Sequence, residues 1–454
     1  MSAPADSRHQ ERLRSAAATA RDVLARSGPC RWEVFTKASV TREVEVAPGE
    51  PPRELEAEEM GVAVRTVRGG RAGFAAASGL EADAARRAIA GACAVEQELP
   101  FDPLPPLRLL AAADGGPVRG LPPRGWASHV GEQLETGVAA ISGGRLRLRR
   151  CLFQEGTFSW LMQTGEGFVA AFDGTACSLL TEVQPVAGRG GVWREWHHVA
   201  DPSALDPAAL ARRIADRALL VQGRIATGSG LVSLILAPEV AARLLTALST
   251  LLVVCRDRRD PLPKLLDSSG RLASDPLTLL DDRLDPEAPI AGPCDGEGLP
   301  AARTLLLERG IPRHRLASYR DALAFGESPR GGALRLSYRD YPSTGIANLR
   351  VSTEHGLPPA DLLRDAGTAL YLLRPLAPVL VDVAAGSYRI VASGVWLDNG
   401  RARGWHPVVE LRGSLTRLLG RIEAVGTDLA WFQAERGAVG APSLLIAGQP
   451  VMGT

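Results

Sequence analysis

Cysteine is scarce in this chain and widely scattered. The six residues, at positions 30, 93, 151, 177, 255 and 294, form no Cys-x-x-Cys pair and no regular framework. That pattern argues against a disulfide scaffold and suits reduced thiols buried as small hydrophobes in a cytosolic protein. Histidine is also thin: none lies between His198 and His314, and the 160 residues after Cys294 contain no thiol. A zinc site assembled from imidazole and thiolate therefore has few donors to draw on. An excess of either charge is missing too, with 52 basic against 51 acidic residues, so no bulk field exists to steer nucleic acid or an anionic membrane. Long apolar runs are absent; the longest, Leu244 to Val254, is about half of the roughly 20 residues a spanning helix needs. The N-terminal stretch is charged and helix-patterned without an apolar core, so no secretory signal is expected and a cytoplasmic location is. No complete GxGxxG, Walker A loop, GxSxG elbow or kinase signature occurs; "GGRAGF" at 69–74 and "GRGGVW" at 188–193 read as turns.

What is present is ordinary globular composition, 45% hydrophobic and 23% charged, over 454 residues, a length that predicts two or three domains. Leu13, Ala17, Ala20, Val23 and Leu24 recur at helical spacing and stop at Ser27-Gly28. The runs "RWEVFTKASVTREVEV" and "GVAVRTVRGGRAGFAAAS" read as strands, the second folded at Gly69-Gly70, followed by a helix over 80–99. A proline-rich linker at 100–107 closes an N-terminal α/β domain, residues 1–107. A middle domain, 108–222, reads as a helix, four strands ("GRLRLRRCLFQ", "TFSWLMQT", "GFVAAFDG", "ACSLLTEVQPV") and a second helix, which suggests an antiparallel sheet flanked by helices. The remainder, 223–454, opens with "GLVSLILAP" and the helix "EVAARLLTALSTLLVV" and then becomes rich in strands and loops. The expected class is α+β.

The stretch Asp281–Pro300, "DDRLDPEAPIAGPCDGEGLP", carries six carboxylates and a thiol among glycines and prolines. Its spacing does not fit a calcium loop, which needs ligands at alternate positions, a glycine at the sixth and a glutamate at the twelfth. Turn formation and capping account for such acids, while Asp295 and Glu297 would face the same way on a strand and so remain candidates for paired acid/base work. The pair His197-His198 points to opposite faces of a strand and cannot easily grip one ion; His9, His129, His314, His355 and His406 stand alone.

The order of several phrases carries a resemblance. "GVAVRTVRGGRAGFAAASGL" resembles the N-terminal signature of the TldD/PmbA family. "LAPEVAARLLTALS", "DSSGRLASDPLTLLDD", "CDGEGLPAARTLLLERGI", "STGIANLRVSTEHGLPPADLLRDAGTALYL", "GSYRIVASGVWLDNGRARGWHPVVELRGSLTRLLGRIEAVGTD" and "APSLLIAGQPV" are similar to its C-terminal landmarks, in the same order. The resemblance spans nearly the whole chain. It implies a three-part fold with a large β-rich C-terminal domain, and a cytosolic metallopeptidase built from two homologous subunits. One subunit type carries HExxxH on a helix and a late cysteine, holding a Zn²⁺ that polarises the scissile carbonyl beside a glutamate-activated water. The other, PmbA or TldE, lacks them.

Here the positions resembling HExxxH are Thr246, Ala247 and Leu251, so no catalytic residue, metal ligand or cofactor is expected in this chain. The resemblance implies a heterodimer in which a TldD-like HExxxH subunit supplies zinc and an extended or unfolded peptide binds by strand addition, with no nucleic-acid or membrane partner. Asp295, Glu297, Gly298 and Asn348 are the expected cleft-loop residues. Two rival expectations are a stand-alone hydrolase using Asp295, Glu297 or His355, and a homodimeric peptide-binding scaffold without peptidase activity.

Overall fold

In the computed structural model, which describes residues 5–99, 102–106, 122–187, 191–221, 230–254 and 262–451, the first strand-like run forms β1 (Arg31–Val46). Its period-two pattern sets the layers of this half of the molecule. Trp32, Val34 and Ala38 face one side and Glu33, Phe35 and Lys37 the other. The first set is buried against α1 (Ala5–Arg26) and α2 (Ala82–Ala94). As expected, β2 (Arg53–Arg68) and β3 (Arg71–Ser78) form a hairpin at Gly69-Gly70. A two-residue strand, β4 (Gln97–Glu98), completes that edge.

The four strands expected in the middle region are two long ones, β5 (Leu146–Thr164) and β6 (Val169–Pro185), followed by β7 (Trp193–His198). "DGT" reads as a break in the sequence, yet Gly174 lies inside β6 because the Phe158 ring occupies the place of a side chain there. A Cβ at residue 174 would sit 2.3 Å from that ring. The strands on either side of the expected 107/108 division also belong to one sheet, in the order β4-β3-β2-β1-β5-β6-β7, since β1 pairs along its length with both β2 and β5. Residues 107, 108, 222 and 223 lie outside the described residues, as do Cys255, 188–190 of the "GRGGVW" turn, and 100, 101 and 107 of the linker. Two further helices, α3 (Trp126–Ile141) and α4 (Pro207–Leu220), cover the other end of the helix-bearing face.

The C-terminal part opens with β8 (Gly230–Leu236), which runs parallel to strand Thr368–Pro375 and antiparallel to Leu444–Val451 at the centre of a second large sheet. One face of this sheet packs on α3 and α4 through Ile235, Tyr371, Val395 and Leu445. Its other face shares a core with α5 (Pro238–Leu248) and a six-stranded sheet that ends in the edge strand Ala430–Gln433. The helix expected to continue to Val254 stops at Leu248 and tightens into a 3₁₀ turn, Ser249–Leu251. Hydroxyls cause the stop. Thr246 Oγ1 donates to the Ala242 carbonyl at 2.8 Å and Ser249 Oγ to the Thr246 carbonyl at 2.7 Å, competing with the helical ladder. Among the described residues no helix is long and apolar enough to cross a membrane. The fold is mixed α+β.

The C-terminal part seats on the free face of the first sheet at one tight point. The ring of Tyr338 lies flat over Gly61 of β2, so that a Cβ at residue 61 would be 2.3 Å from it. Gly61→Ala is expected to cost about 1–3 kcal/mol, the usual penalty for overfilling a packed contact. Denaturant midpoints should show the loss shrinking when Tyr338→Ala is added, a coupling that independent sites would not give.

Candidate functional site

A cleft of three connected compartments runs from the free face of the first sheet into the C-terminal part. The first, about 670 Å³, lies between two sheet edges, with Trp196, His197 and His198 of β7 on one side and Trp431, Phe432 and Gln433 of the edge strand on the other. A second, about 760 Å³, follows α5 past Glu239, Arg243, Thr246 and Ala247 and shares Arg243, Ala434 and Glu435 with the first. A third, about 160 Å³, opens beside Pro289, Ile290 and Leu336, which it also shares with the first. Arg243 fixes one junction by donating to the Gln433 carbonyl at 3.0 Å.

The residues resembling the zinc motif do not converge. Thr246 and Ala247 border the α5 compartment, but Leu251 is 2% exposed and lies in the hydrophobic core beyond the end of the helix. Thr246 has spent its hydroxyl proton on the helix backbone, and Ala247 and Leu251 offer no donor atom. This set does not fit a tetrahedral zinc, which needs nitrogen or sulfur ligands, and no step through a metal follows from it. Among the described residues no group of three or more His, Cys, Asp or Glu is placed to hold a metal ion.

Asp295 and Glu297 occupy a turn, not the strand their spacing suggested. Asp295 Oδ1 accepts the backbone N–H groups of Glu297 and Leu299 at 2.9 and 3.0 Å, and Oδ2 accepts that of Ala333 at 3.1 Å. A side chain so occupied folds the chain back on itself, which is why the strand does not form. Gly298 completes the turn at φ 90°, in the left-handed region. Asn348 is buried behind the junction of the first and third compartments. It accepts from the Ile290 N–H at 3.0 Å and donates to the Ile290 and Asp282 carbonyls at 2.6 and 3.0 Å. The other acids of the 281–300 stretch serve the same loop: Asp281 Oδ1 caps the N–H groups of Ala347 and Asn348, and Asp282 and Asp285 pair with Arg303 and Arg350.

Glu297 belongs to a buried charge cluster joining the two halves. Arg65 of β2 forks onto Glu33 of β1 and reaches Glu297 at 3.4 Å, while Arg335 pairs with Glu33 at 2.6 Å. Burial works against the charge on Glu33, but Arg65 and Arg335 hold it below the ordinary carboxylate range. Burial pushes Glu297 the other way, up to about 8, against the pull of Arg65. An unfolded glutamate ionises near 4.5 while the folded one keeps its proton, so stability falls as pH rises from about 4.5 to about 8 and levels off above that. Glu297→Gln, neutral throughout, is expected to flatten this part of the profile in urea titrations compared across that window.

Sequence reasoning missed two parts of the cleft. His197 and His198 both border it, and their rings diverge as expected of adjacent strand residues, His197 toward Arg213 of α4 and His198 toward the Glu287 backbone. The Arg213 guanidinium, which can only donate, lies 2.9 Å from His197 Nδ1, so the ring proton sits on Nε2, 3.4 Å from the Thr181 hydroxyl. Burial lowers both imidazoles to about 4, leaving them neutral at physiological pH. The second part is an aromatic wall of Phe35, Phe158, Trp160 and Phe172, with successive ring centroids 6.0 to 6.1 Å apart. Its signal was available: "TFSWLMQ" places Phe158, Trp160 and Met162 on one face by simple alternation. Reactive chemistry is thin along these walls. Burial pushes the Cys177 thiol up to about 12; Asp295 borders the third compartment as expected of a cleft-loop residue, but its oxygens are taken up by backbone N–H groups, and Glu297 is fully buried. His355 lies in an exposed turn outside the three compartments described.

Comparison with known proteins agrees with this layout. Residues 229–453 match the PmbA/TldA metallopeptidase C-terminal domain and residues 32–95 match PmbA/TldA metallopeptidase domain 1. Among solved structures, TldE from Thermococcus kodakarensis is 16% identical with a TM-score of 0.79, covering 93% of this chain and 97% of that one. A putative modulator of a DNA gyrase from Thermotoga maritima is 16% identical with a TM-score of 0.77 over 96% and 99% of the two chains. A putative modulator of DNA gyrase from Bacteroides thetaiotaomicron is 18% identical with a TM-score of 0.75 over 98% and 99%. No curated protein matches. With both domain matches in the family's order and these neighbours sharing the fold over nearly their full length, the chain belongs to the PmbA/TldD family.

Proposed function

We propose that this chain is the subunit without zinc in a two-subunit peptidase assembly of the TldD/TldE type. It pairs with a homologous HExxxH-bearing subunit that supplies the catalytic zinc, and it helps hold extended or unfolded peptides for cleavage in the cytoplasm. The observation that carries this reading is the donor set on and after α5: Thr246, Ala247 and Leu251, the residues that resemble the HExxxH positions, include no histidine and no glutamate. A chain that keeps the family architecture and an open cleft, but lacks those donors, is best explained by a partner that brings them. The cleft supports a peptide role. One compartment, about 670 Å³, lies between the edges of two sheets, β7 and Ala430–Gln433, and a sheet edge suits pairing with an extended chain in a mode that reads few side chains.

The test is co-expression with an HExxxH-bearing homologue from the same genome, followed by gel filtration and peptide hydrolysis with and without chelator. Co-elution, with activity that needs both chains and is lost to chelation, is the expected result. Hydrolysis by this chain alone in the presence of chelator would overturn the reading in favour of a stand-alone hydrolase. A lone homodimer that ignores the homologue would favour a scaffold.

A further inference from the structure

We propose that the 160 Å³ compartment is a side-chain subsite that takes a single aromatic ring, phenylalanine or tyrosine, from a peptide lying in the adjoining cleft. This deepens the peptide-binding reading above and rests on it for the peptide, though not for the ring.

Four observations carry it. The first is size: an apolar cavity of about 150 Å³ accommodates one benzene-sized group, and this compartment measures about 160 Å³. The second is the wall. Phe35, Phe158, Trp160 and Met162 bring ring faces, ring edges and a thioether to one small space, the surfaces against which another ring packs in offset or edge-on geometry. Phe158 and Trp160 are only half-buried, so apolar area is left uncovered. The third is charge placed around the rings. Lys37 Nζ lies 5.3 Å from the Phe158 centroid and the Arg335 guanidinium 4.3 Å from that of Phe35. Both cations are already engaged, Lys37 with the Leu336 carbonyl and Arg335 with Glu33, so they favour an electron-rich π face over a bulky anionic guest. Arg335 borders the compartment with its side chain 1% exposed, so its charge acts on the rings from behind the wall. The fourth is position. The compartment opens at Ile290, whose backbone is held on both its N–H and C=O by Asn348, directly beside the space between the two sheet edges. A peptide paired along that space projects alternate side chains sideways, and one of them meets this opening.

Calorimetric titration of the full chain with N-acetyl-phenylalaninamide, N-acetyl-tyrosinamide and N-acetyl-alaninamide tests the ring. Both aromatic amides are expected to bind about ten- to hundredfold tighter than the alanine compound, the value of burying one such ring. Ala291→Trp, at an exposed position on the rim, fills the opening and is expected to abolish that preference with the circular dichroism spectrum unchanged. Equal binding of the three amides, or a preference that survives Ala291→Trp, overturns the subsite. A parallel titration with pentaalanine and with pentaalanine carrying one central phenylalanine separates the two readings. If peptides bind but the phenylalanine confers nothing, the subsite fails and the peptide cleft stands. If the aromatic amides bind selectively while neither peptide binds, the peptide reading fails and the ring site stands.

Discussion

Glu33→Gln is expected to destabilise the protein by about 3–5 kcal/mol, the cost of removing one partner from a buried ion pair. Glu33 is the single carboxylate shared by two guanidiniums, Arg65 and Arg335, and all three side chains are 2% exposed or less. An amide of the same shape can accept at one atom only, and it turns donor hydrogens toward one of the arginines, so a positive charge is left buried against a positive pole. Glu297 cannot take over, since it lies 3.4 Å from Arg65 and burial disfavours its ionised form. Guanidinium denaturation at neutral pH reads the loss. Adding Arg335→Met should return part of it, because one of the two stranded charges is then gone. Equal stability of Glu33→Gln and the unmutated protein would mean that water reaches the cluster.

Asn348→Ala is expected to cost about 3 kcal/mol or more, summed over the buried groups it leaves without partners. The Ile290 N–H, the Ile290 carbonyl and the Asp282 carbonyl all lose their hydrogen bonds together. Because Ile290 borders both the main compartment and the ring-sized one, freeing its backbone should weaken peptide binding as well as stability. Thermal unfolding checks the first effect and titration with an extended peptide the second. A variant that is destabilised but binds normally would show that this loop does not shape the cleft.

Much of the fold was legible where a short period dominates. The alternation of Trp32, Val34 and Ala38 against Glu33, Phe35 and Lys37 marks both faces of β1, and Gly69-Gly70 marks its neighbouring hairpin. Legibility failed where a residue associated with turns serves a distant contact. Gly174 was read as a break because nothing local reveals the Phe158 ring lying over it. It failed again where a side chain competes with the backbone, as with Asp295, whose three captured N–H groups replace a strand by a turn, and with Thr246, whose back-bond helps end α5 early. The family resemblance was legible from the order of spaced phrases. The cleft was not, since its walls join Phe35 and Trp160 to Leu336 and Trp431, and such juxtapositions leave no trace in any short window.

That separation along the chain bears on how the protein reaches its native state. Arg335 must travel across 302 positions to meet Glu33, and the core that α3 and α4 begin on the first sheet is completed when strands near residues 235, 371 and 445 arrive. Such distant closures are slow, and the nascent N-terminal portion leaves the ribosome with a greasy flank uncovered. Cutting the gene at residue 229, where the matched C-terminal domain starts, would therefore yield two fragments prone to clump, each missing the surface that completes it.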